Sequence, residues 1–405
     1  MHVQCAVAGG GPAGMMLGLL LARAGVNVAV LEKHADFLRD FRGDTIHPST
    51  LELLHELGVL EAFLARPHQE VRSLTGHVAG EPVTIADFSH LPTRCKFVAL
   101  MPQWDFLDFI AAEAKRFPTF RLIMQADVTG LIENAGRIAG ITAKTPEGPL
   151  EMTADLVVGA DGRRSIVRER AGLMVDDFGA PIDVLWMRVS RRPDDPSQLL
   201  GYIETGHVFV LFDRGDYWQC AYVIPKGGFE QVQARGLEAF RRSVAAIVPF
   251  LSDRVEEIRH WSDVKLLTVT VDRLRQWYRP GLLCIGDAAH AMSPIGGVGI
   301  NLAVQDAVAA ANILSGPLAR GACRDSDLAR VQKRRELPTR VVQRVQLLAQ
   351  DLFLKRTLEG RVPQKMPVAL KLLQRFPMLR RIPARLVGIG LRPEHIEVGS
   401  RKSEV

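Results

Sequence analysis

Two textures in the sequence predict an α/β fold: a Rossmann-like domain, an antiparallel β-sheet domain inserted into it, and a helical C-terminus. The chain opens with a strand, a helix and a second strand within about 30 residues, the size of a βαβ unit that belongs in a parallel sheet. From about Asp176 to Val271 short runs rich in Thr, Tyr, Trp and Phe are broken by Gly, Asp and Pro, as in antiparallel strands. The first texture then returns at 281–315. A chain that leaves one pattern and comes back to it carries an insertion.

The elements follow in order. "HVQCAVAGGG" (2–11) reads as a buried strand running into glycines, and "AGMMLGLLLARAG" (13–25) as a helix that is small or apolar nearly all round, hence buried. "VNVAVLE" (26–32) is the second strand, "TLELLHELGVLEAFLA" (50–65) an amphipathic helix, and 70–88 a strand region punctuated by Gly and Thr. A helix follows at 102–117 and a strand with a hairpin at 120–148. In the insertion, "VLWMRVS", "YIETGHVFVLF", "YWQCAYVIP" and "VKLLTVTV" read as strands around one helix at 236–251. The resulting division is 1–70, 100–175 and 272–335 for the Rossmann-like domain, 71–99 and 176–271 for the inserted domain, and 336–405 for a helical segment.

The 405 residues, 47% hydrophobic and 24% charged, suffice for a sizeable core and two or three domains. The net charge is +6, with much of the positive charge in 334–346 and 371–386. Such stretches read first as solvated helix faces, with a membrane surface as the alternative for 371–386. No nucleic-acid role is expected. Cys5, Cys95, Cys220, Cys284 and Cys323 are scattered without a Cys-x-x-Cys pair, which argues against a zinc site or a disulfide framework and fits a reducing cytoplasm. No apolar run is long enough to span a bilayer, and the N-terminal residues read as strand and helix rather than as a leader.

Three motifs carry chemistry. The first is Gly9-x-Gly11-x-x-Gly14, between strand and helix, with Glu32 closing the next strand. Gly9 permits the tight turn, Gly11 lets a pyrophosphate approach the backbone, and Gly14 lets the helix pack closely. Pro12 and Ala13 complete the helix start, whose free N–H groups and dipole attract phosphate. Glu32 suits a ribose diol. This is a dinucleotide fingerprint that does not separate FAD from NAD. The second motif is "DLVVGADGRRSIVRERAG" (155–172), in which Asp161 and Gly162 end a buried strand; by itself it also fits a helix-capping Asp. The third is "LLCIGDAAHAMSPIGGVGINLAVQDA" (282–307). Gly286-Asp287 puts a carboxylate at a strand end, where it suits the hydroxyls of a polyol. Pro294, Gly296, Gly297 and Gly299 form a turn without bulk, against which a planar ring could lie. The helix beginning near Gly299, Ile300 and Asn301 would point its positive end at that ring.

In this order and at these separations the three motifs resemble those of the single-component flavoprotein aromatic hydroxylases (class A monooxygenases) of the para-hydroxybenzoate hydroxylase fold, with a likeness to the ubiquinone-biosynthesis hydroxylases. The resemblance covers the chain to about residue 350. It implies FAD held by Gly9, Gly11, Gly14, Glu32 and Lys33 at the adenosine end, with Arg42, Gln103 and Val128 as further contacts; many members carry Arg where Gln103 stands. It implies that Asp161 and Gly162 serve the pyrophosphates and that Asp287 holds the ribityl chain. Pro294, Gly296, Gly297, Gly299, Ile300 and Asn301 would lie beside the flavin ring.

The resemblance further implies that NADH or NADPH docks transiently to reduce the flavin, that O₂ adds to give a C4a-hydroperoxide, and that an electron-rich aromatic or polycyclic substrate attacks it. Such chemistry needs no metal and no protein nucleophile, but it needs a dry pocket. The inserted sheet should roof that pocket, with Trp186, Tyr202, Phe209, Leu211, Trp218 and Tyr222 as candidate lining residues. His47, Arg188 and His207 are candidate polar groups, none assigned as a base. The C-terminal segment is expected to form a helical cap, with a dimer contact as the alternative; monomer and homodimer both remain open. Competing functions are a reductase or oxidase of the same fold (a prenyl-chain reductase, for example), a flavin halogenase and a non-catalytic flavin binder. A halogenase would carry Trp-x-Trp-x-Ile-Pro, and "YWQCAYVIPKG" lacks the second tryptophan.

Overall fold

The computed structural model describes residues 1–38, 45–78, 81–196, 200–204, 206–358, 360 and 368–398. Strand His2–Ala8 lies at the centre of the first layer, parallel to Val28–Glu32 on one side and to the second half of Gly148–Gly159 on the other. Phe120–Met124 extends the sheet beyond Val28–Glu32, and Leu282–Cys284 extends it beyond Gly148–Gly159, both parallel. The first half of Gly148–Gly159 pairs instead with the hairpin strand Arg137–Thr145. Val28–Glu32 is buried at every residue, which is why it reads as a continuous apolar run rather than an alternation.

Helix Pro12–Arg23 and the 21-residue helix Gly299–Ala319 pack side by side against this sheet. Ten of the twelve residues of Pro12–Arg23 are buried, as its all-round apolar sequence requires. A stretch at 295–319 is long and apolar enough to cross a membrane, but 78% of its apolar window is buried inside the protein, so it is a core element.

The inserted domain is a seven-stranded sheet in the order Lys265–Leu267, Ile182–Ser190, Tyr217–Pro225, His207–Asp213, Leu200–Glu204, Ser73–Val78, Glu81–Asp87. Two strands of the 71–99 stretch therefore join those of 176–271 in one sheet. The pairing departs from a purely antiparallel sheet at one seam, where Leu200–Glu204 runs parallel to Ser73–Val78. Those two strands come from distant parts of the chain, so no hairpin fixes their relative direction. Helix Leu237–Ile247 covers one face of the sheet. The other face meets the residues after the long helix Asp325–Ala349, where Leu354 and Leu358 pack on it. Asp325–Ala349 is continuous through 335–336, so the helical segment begins inside an element rather than at a linker.

Candidate functional site: a crevice at the strand ends

The C-terminal ends of the parallel strands meet the first turns of the two long helices. Gly9 has φ +102°, and a Cβ there would overlap the Ala160 carbonyl, so the first glycine turn and the strand end at Ala160–Asp161 lie against each other. A Cβ on Gly14 would overlap the Gly9 carbonyl, which only a side-chain-free residue avoids. Gly11 differs. It has an ordinary φ of −75°, and a Cβ on it would meet nothing within 4 Å. Helix Pro12–Arg23 starts there with no side-chain cap. Among the described residues no side chain takes up its first N–H groups, and space is open beside Gly11, the arrangement an anion requires.

Glu32 closes one end of the crevice. Its carboxylate accepts from the Gly10 N–H at 3.0 Å and the His34 N–H at 3.1 Å, which fixes its direction. Val128 follows close by, buried at the start of Asp127–Asn134, whereas Lys33 is exposed. Gln125 holds φ +55° beside them, its N–H bonded to the His34 carbonyl, a strained position that no sequence signal announced. Gln103 begins helix Gln103–Ala114. Arg42 lies outside the described residues.

Asp161 behaves as a capping residue. Its carboxylate accepts from the Ser165 hydroxyl at 2.5 Å and the Val167 N–H at 3.1 Å, at the start of the short helix Ile166–Arg170. Burial pushes its carboxyl above the ordinary value despite those bonds. With both oxygens committed, its carboxylate is turned to its own helix, and it is the backbone at Ala160–Asp161 that lies against Gly9.

Asp287 sits at the other end. Arg163 Nε donates to it at 3.0 Å, and each side chain is about one-third exposed (30% and 32%). Arg163 Nη1, by contrast, is buried without a hydrogen-bond partner among the described residues. Gly286 has φ +60°, and a Cβ there would sit 3.1 Å from Ala13 and 3.3 Å from Ala303, so this strand end is wedged between the two helices. The loop Pro294–Gly297 follows, with Gly296 exposed and Gly297 pressed on Thr45, whose hydroxyl donates to the Gly297 carbonyl at 2.8 Å. Gly299 borders open space, and helix Gly299–Ala319 also starts uncapped. Ile300 is buried. The Asn301 amide is spent on protein partners: its Oδ1 accepts from the His47 N–H at 3.0 Å and the Thr50 hydroxyl at 2.7 Å.

These features fit a long ligand with an anionic middle and a polyol arm. The glycine turn offers uncapped N–H groups and room, Arg163 holds an unspent buried donor, and Asp287 supplies an acceptor.

Beneath the crevice lies a buried charge network absent from the sequence reading. Asp306, fully buried, accepts from the Gly286 N–H (3.1 Å), pairs with His290 (2.6 Å) and pairs with Arg335 (3.0 Å). Arg335 also meets Glu394 at 3.1 Å. Burial disfavours the charged form of Asp306, but His290 and Arg335 outweigh it and hold the carboxyl below its ordinary value. In the basic stretch 334–346, Arg334, Arg340 and Arg344 are exposed as a solvated face requires, but Arg335 departs from it at 1% exposed. A lone Asp in an alanine-rich helix was the available signal; its partners, 16 and 29 residues away, were not inferable.

The expected lining residues divide between the faces of the inserted sheet. Phe209, Leu211, Trp218 and Tyr222 lie in the core beneath Leu237–Ile247, and Tyr202 packs against that core and stacks on His77. Those five are turned from the long-helix side, a correction to the expected set. The expected set mixed the two faces by including Trp186, and strand alternation does not say which face a helix covers. Trp186 stands on the opposite face with Val210 and Phe212, its ring 5.9 Å from that of Phe212. Phe212 and Val387 both pack against the cluster of Ala86, Phe88, Leu91, Val98, Leu100 and Ala384, and Val387 lies 3.8 Å from where a Cβ on Gly296 would be. His207 bonds Tyr222 at 2.8 Å on the helix-covered side, and Arg188 lies over the Tyr217 ring. His47 is buried and bonded through Nδ1 to the Val387 carbonyl at 2.7 Å.

Comparison with known proteins gives these features a family. The family described as "FAD binding domain" matches residues 2–345. The chain belongs to the FAD-dependent monooxygenases. It is 33% identical, over 95% of its own length and 92% of the relative's, to 6-methylpretetramide 4-monooxygenase of Streptomyces rimosus. It is 27% identical to the uncharacterized aromatic compound monooxygenase YhjG of Bacillus subtilis (strain 168), matching over 76% of this chain and spanning 60% of that protein. Among solved structures, OxyS anhydrotetracycline hydroxylase from Streptomyces rimosus superposes with a TM-score of 0.77 at 25% identity, covering 96% of this chain and 76% of that one. The cofactor of this family is FAD, with a nicotinamide nucleotide as its usual reductant.

Proposed function

We propose that this FAD-dependent monooxygenase hydroxylates a fused-ring phenolic compound, using NADH or NADPH and O₂, and that it works in the cytoplasm, where its unpaired cysteines stay reduced. The near full-length likeness to 6-methylpretetramide 4-monooxygenase carries the substrate class. Bound FAD would supply the activated oxygen and the two-electron chemistry.

The chain's own part is binding, orientation and exclusion of water. Gly11 and the first N–H groups of helix Pro12–Arg23 would take the pyrophosphate, Glu32 the adenosine ribose, and Asp287 with Arg163 the ribityl hydroxyls. Pro294, Gly296, Gly297 and Gly299 would face the ring. Helix Gly299–Ala319 aims its positive end at that edge and favours negative charge there. The apolar face of Trp186, Val210 and Phe212 would keep water from the reacting edge.

Two measurements test this. Asp287→Ala should purify with most of its flavin absorbance lost, and Gly11→Val should behave the same way by blocking the phosphate approach; full FAD occupancy in both would sink the assignment. NAD(P)H oxidation across a panel of phenols and polycyclic aromatics should be substrate-stimulated and should place labelled oxygen from O₂ in the product. Stimulated oxidation with a reduced, oxygen-free product would establish a reductase instead.

A further inference from the structure

Helices Val368–Arg375 and Arg381–Gly388, with the turn between them, carry a surface that the crevice does not use. From Val368 to Pro393 the chain has six basic residues, Lys371, Arg375, Arg380, Arg381, Arg385 and Arg392, and no acidic residue. Among them stand the exposed apolar side chains Leu372, Phe376, Met378 and Ile382, the last three 54%, 71% and 67% exposed. The segment is nonetheless fixed in place. Ala384 is buried, and a Cβ on Gly388 would press on Leu91 at 2.7 Å and on Phe88 at 3.2 Å. Gln374 donates to the Pro82 carbonyl at 2.7 Å, and Arg380 Nε donates to the Leu373 carbonyl at 2.9 Å. A firmly held inner side with an outer side of large apolar groups ringed by cations is not a fraying terminus.

We propose that this surface docks on an anionic lipid bilayer. Charge selects that occupant. A second copy of the chain meeting the same patch would set Arg375, Arg381 and Arg385 against their equivalents, a like-charge contact that disfavours association. A nucleic-acid backbone would satisfy the arginines but leave Leu372, Met378 and Ile382 in water. An anionic bilayer answers both: its headgroups meet the guanidinium and ammonium groups, and the acyl boundary receives the apolar side chains. Val387 belongs to the same helix and touches the Gly296 loop, so docking would bring the ring end of the crevice close to the bilayer.

The test uses the full-length, FAD-loaded protein and vesicle co-sedimentation. It should pellet with phosphatidylcholine–phosphatidylglycerol vesicles, remain in solution with phosphatidylcholine alone, and be released as salt is raised. Arg375→Gln with Arg381→Gln should weaken partitioning roughly thirtyfold, from about fivefold per cation. Phe376→Ser with Ile382→Ser should weaken it on the order of tenfold, through lost apolar burial. Both pairs should keep their FAD absorbance, since none of these residues borders the crevice. Equal binding to neutral and anionic vesicles, or none, overturns the proposal. So does a loss confined to the arginine pair, which would match nucleic acid, or a loss of self-association in these variants with vesicle binding unchanged.

Discussion

The two faces of the inserted sheet are built from the same strands but do different work. Beneath helix Leu237–Ile247, side chains such as Phe209, Leu211 and Trp218 are wholly buried and tightly shared, Phe209 with Tyr222 and Trp218 with Phe250. On the other face the aromatic pair Trp186 and Phe212 is only partly buried, and Phe212 shares a buried cluster with Val387, which lies beside the glycine loop. One face is closed by an element of its own domain; the other is closed by residues that arrive from the far end of the chain. If the second face is the one kept for a ligand, as proposed, the difference separates stability from specificity.

The strongest way to break the comparison is to truncate the closed face. Phe209→Ala and Trp218→Ala should each lower stability by about 3–5 kcal/mol, through lost burial and an unfilled cavity. Trp218 carries more than packing, since its indole N–H donates at 2.8 Å to Asp195, itself held bidentate by the buried Arg254. Denaturant midpoints read the cost. Whatever folded protein remains should keep its KM and its coupling of NAD(P)H oxidation to product. A changed product or a large KM change with an unaltered midpoint would assign this face to the substrate after all.

A smaller effect sharpens the boundary between the first domain and the C-terminal cap. Burial lowers the His47 imidazole from 6.5 to about 4, while its bond to the Val387 carbonyl opposes the shift. Folded, the ring stays neutral; unfolded, it takes up a proton below 6.5. Between those values the unfolded chain binds more protons, so stability falls as pH drops from about 6.5 toward 4, by up to about 3 kcal/mol. Urea midpoints across that window should therefore decline in the parent and flatten in His47→Gln. Identical slopes would place the imidazole in water.

Much of the candidate crevice's backbone geometry was legible because its parts are local. Gly9, Gly11, Gly14 and Glu32 fall within one βαβ unit, and the run from Gly286 to Gly299 carries a strand end, a turn and a helix start. A backbone constraint of that kind shows itself as glycines at fixed spacing. Relations set by tertiary packing did not show. The Asp306–His290–Arg335–Glu394 network joins segments far apart in sequence, and the Asn301 amide turned out to be tied to His47 and Thr50. Period-2 alternation does not rank the two faces by function, because both are apolar, and the expected lining set mixed Trp186 with five residues of the opposite face. Which face meets the crevice depends on where helix Leu237–Ile247 and residues 350–358 come to rest. The helical cap was legible as amphipathic sequence, but its inner contacts with Phe88 and Leu91 were not.

The mildest perturbation lies on the open face. Trp186→Ala removes a partly buried ring, so its cost in stability should be roughly 1 kcal/mol, well below that of Trp218→Ala. Its effect should appear in function. If Trp186 and Phe212 keep water from the reacting edge, loss of the ring should raise KM for an aromatic substrate several-fold and divert NAD(P)H oxidation toward free hydrogen peroxide. Trp186→Phe should restore most of the coupling, since it returns a flat apolar surface without the indole N–H. Peroxide yield measured beside product yield separates this from a folding defect, which would lower both together. Unchanged coupling in Trp186→Ala would mean that the sheet roofs no substrate at this point and that the seal over the crevice lies with Leu354, Leu358 and the C-terminal helices.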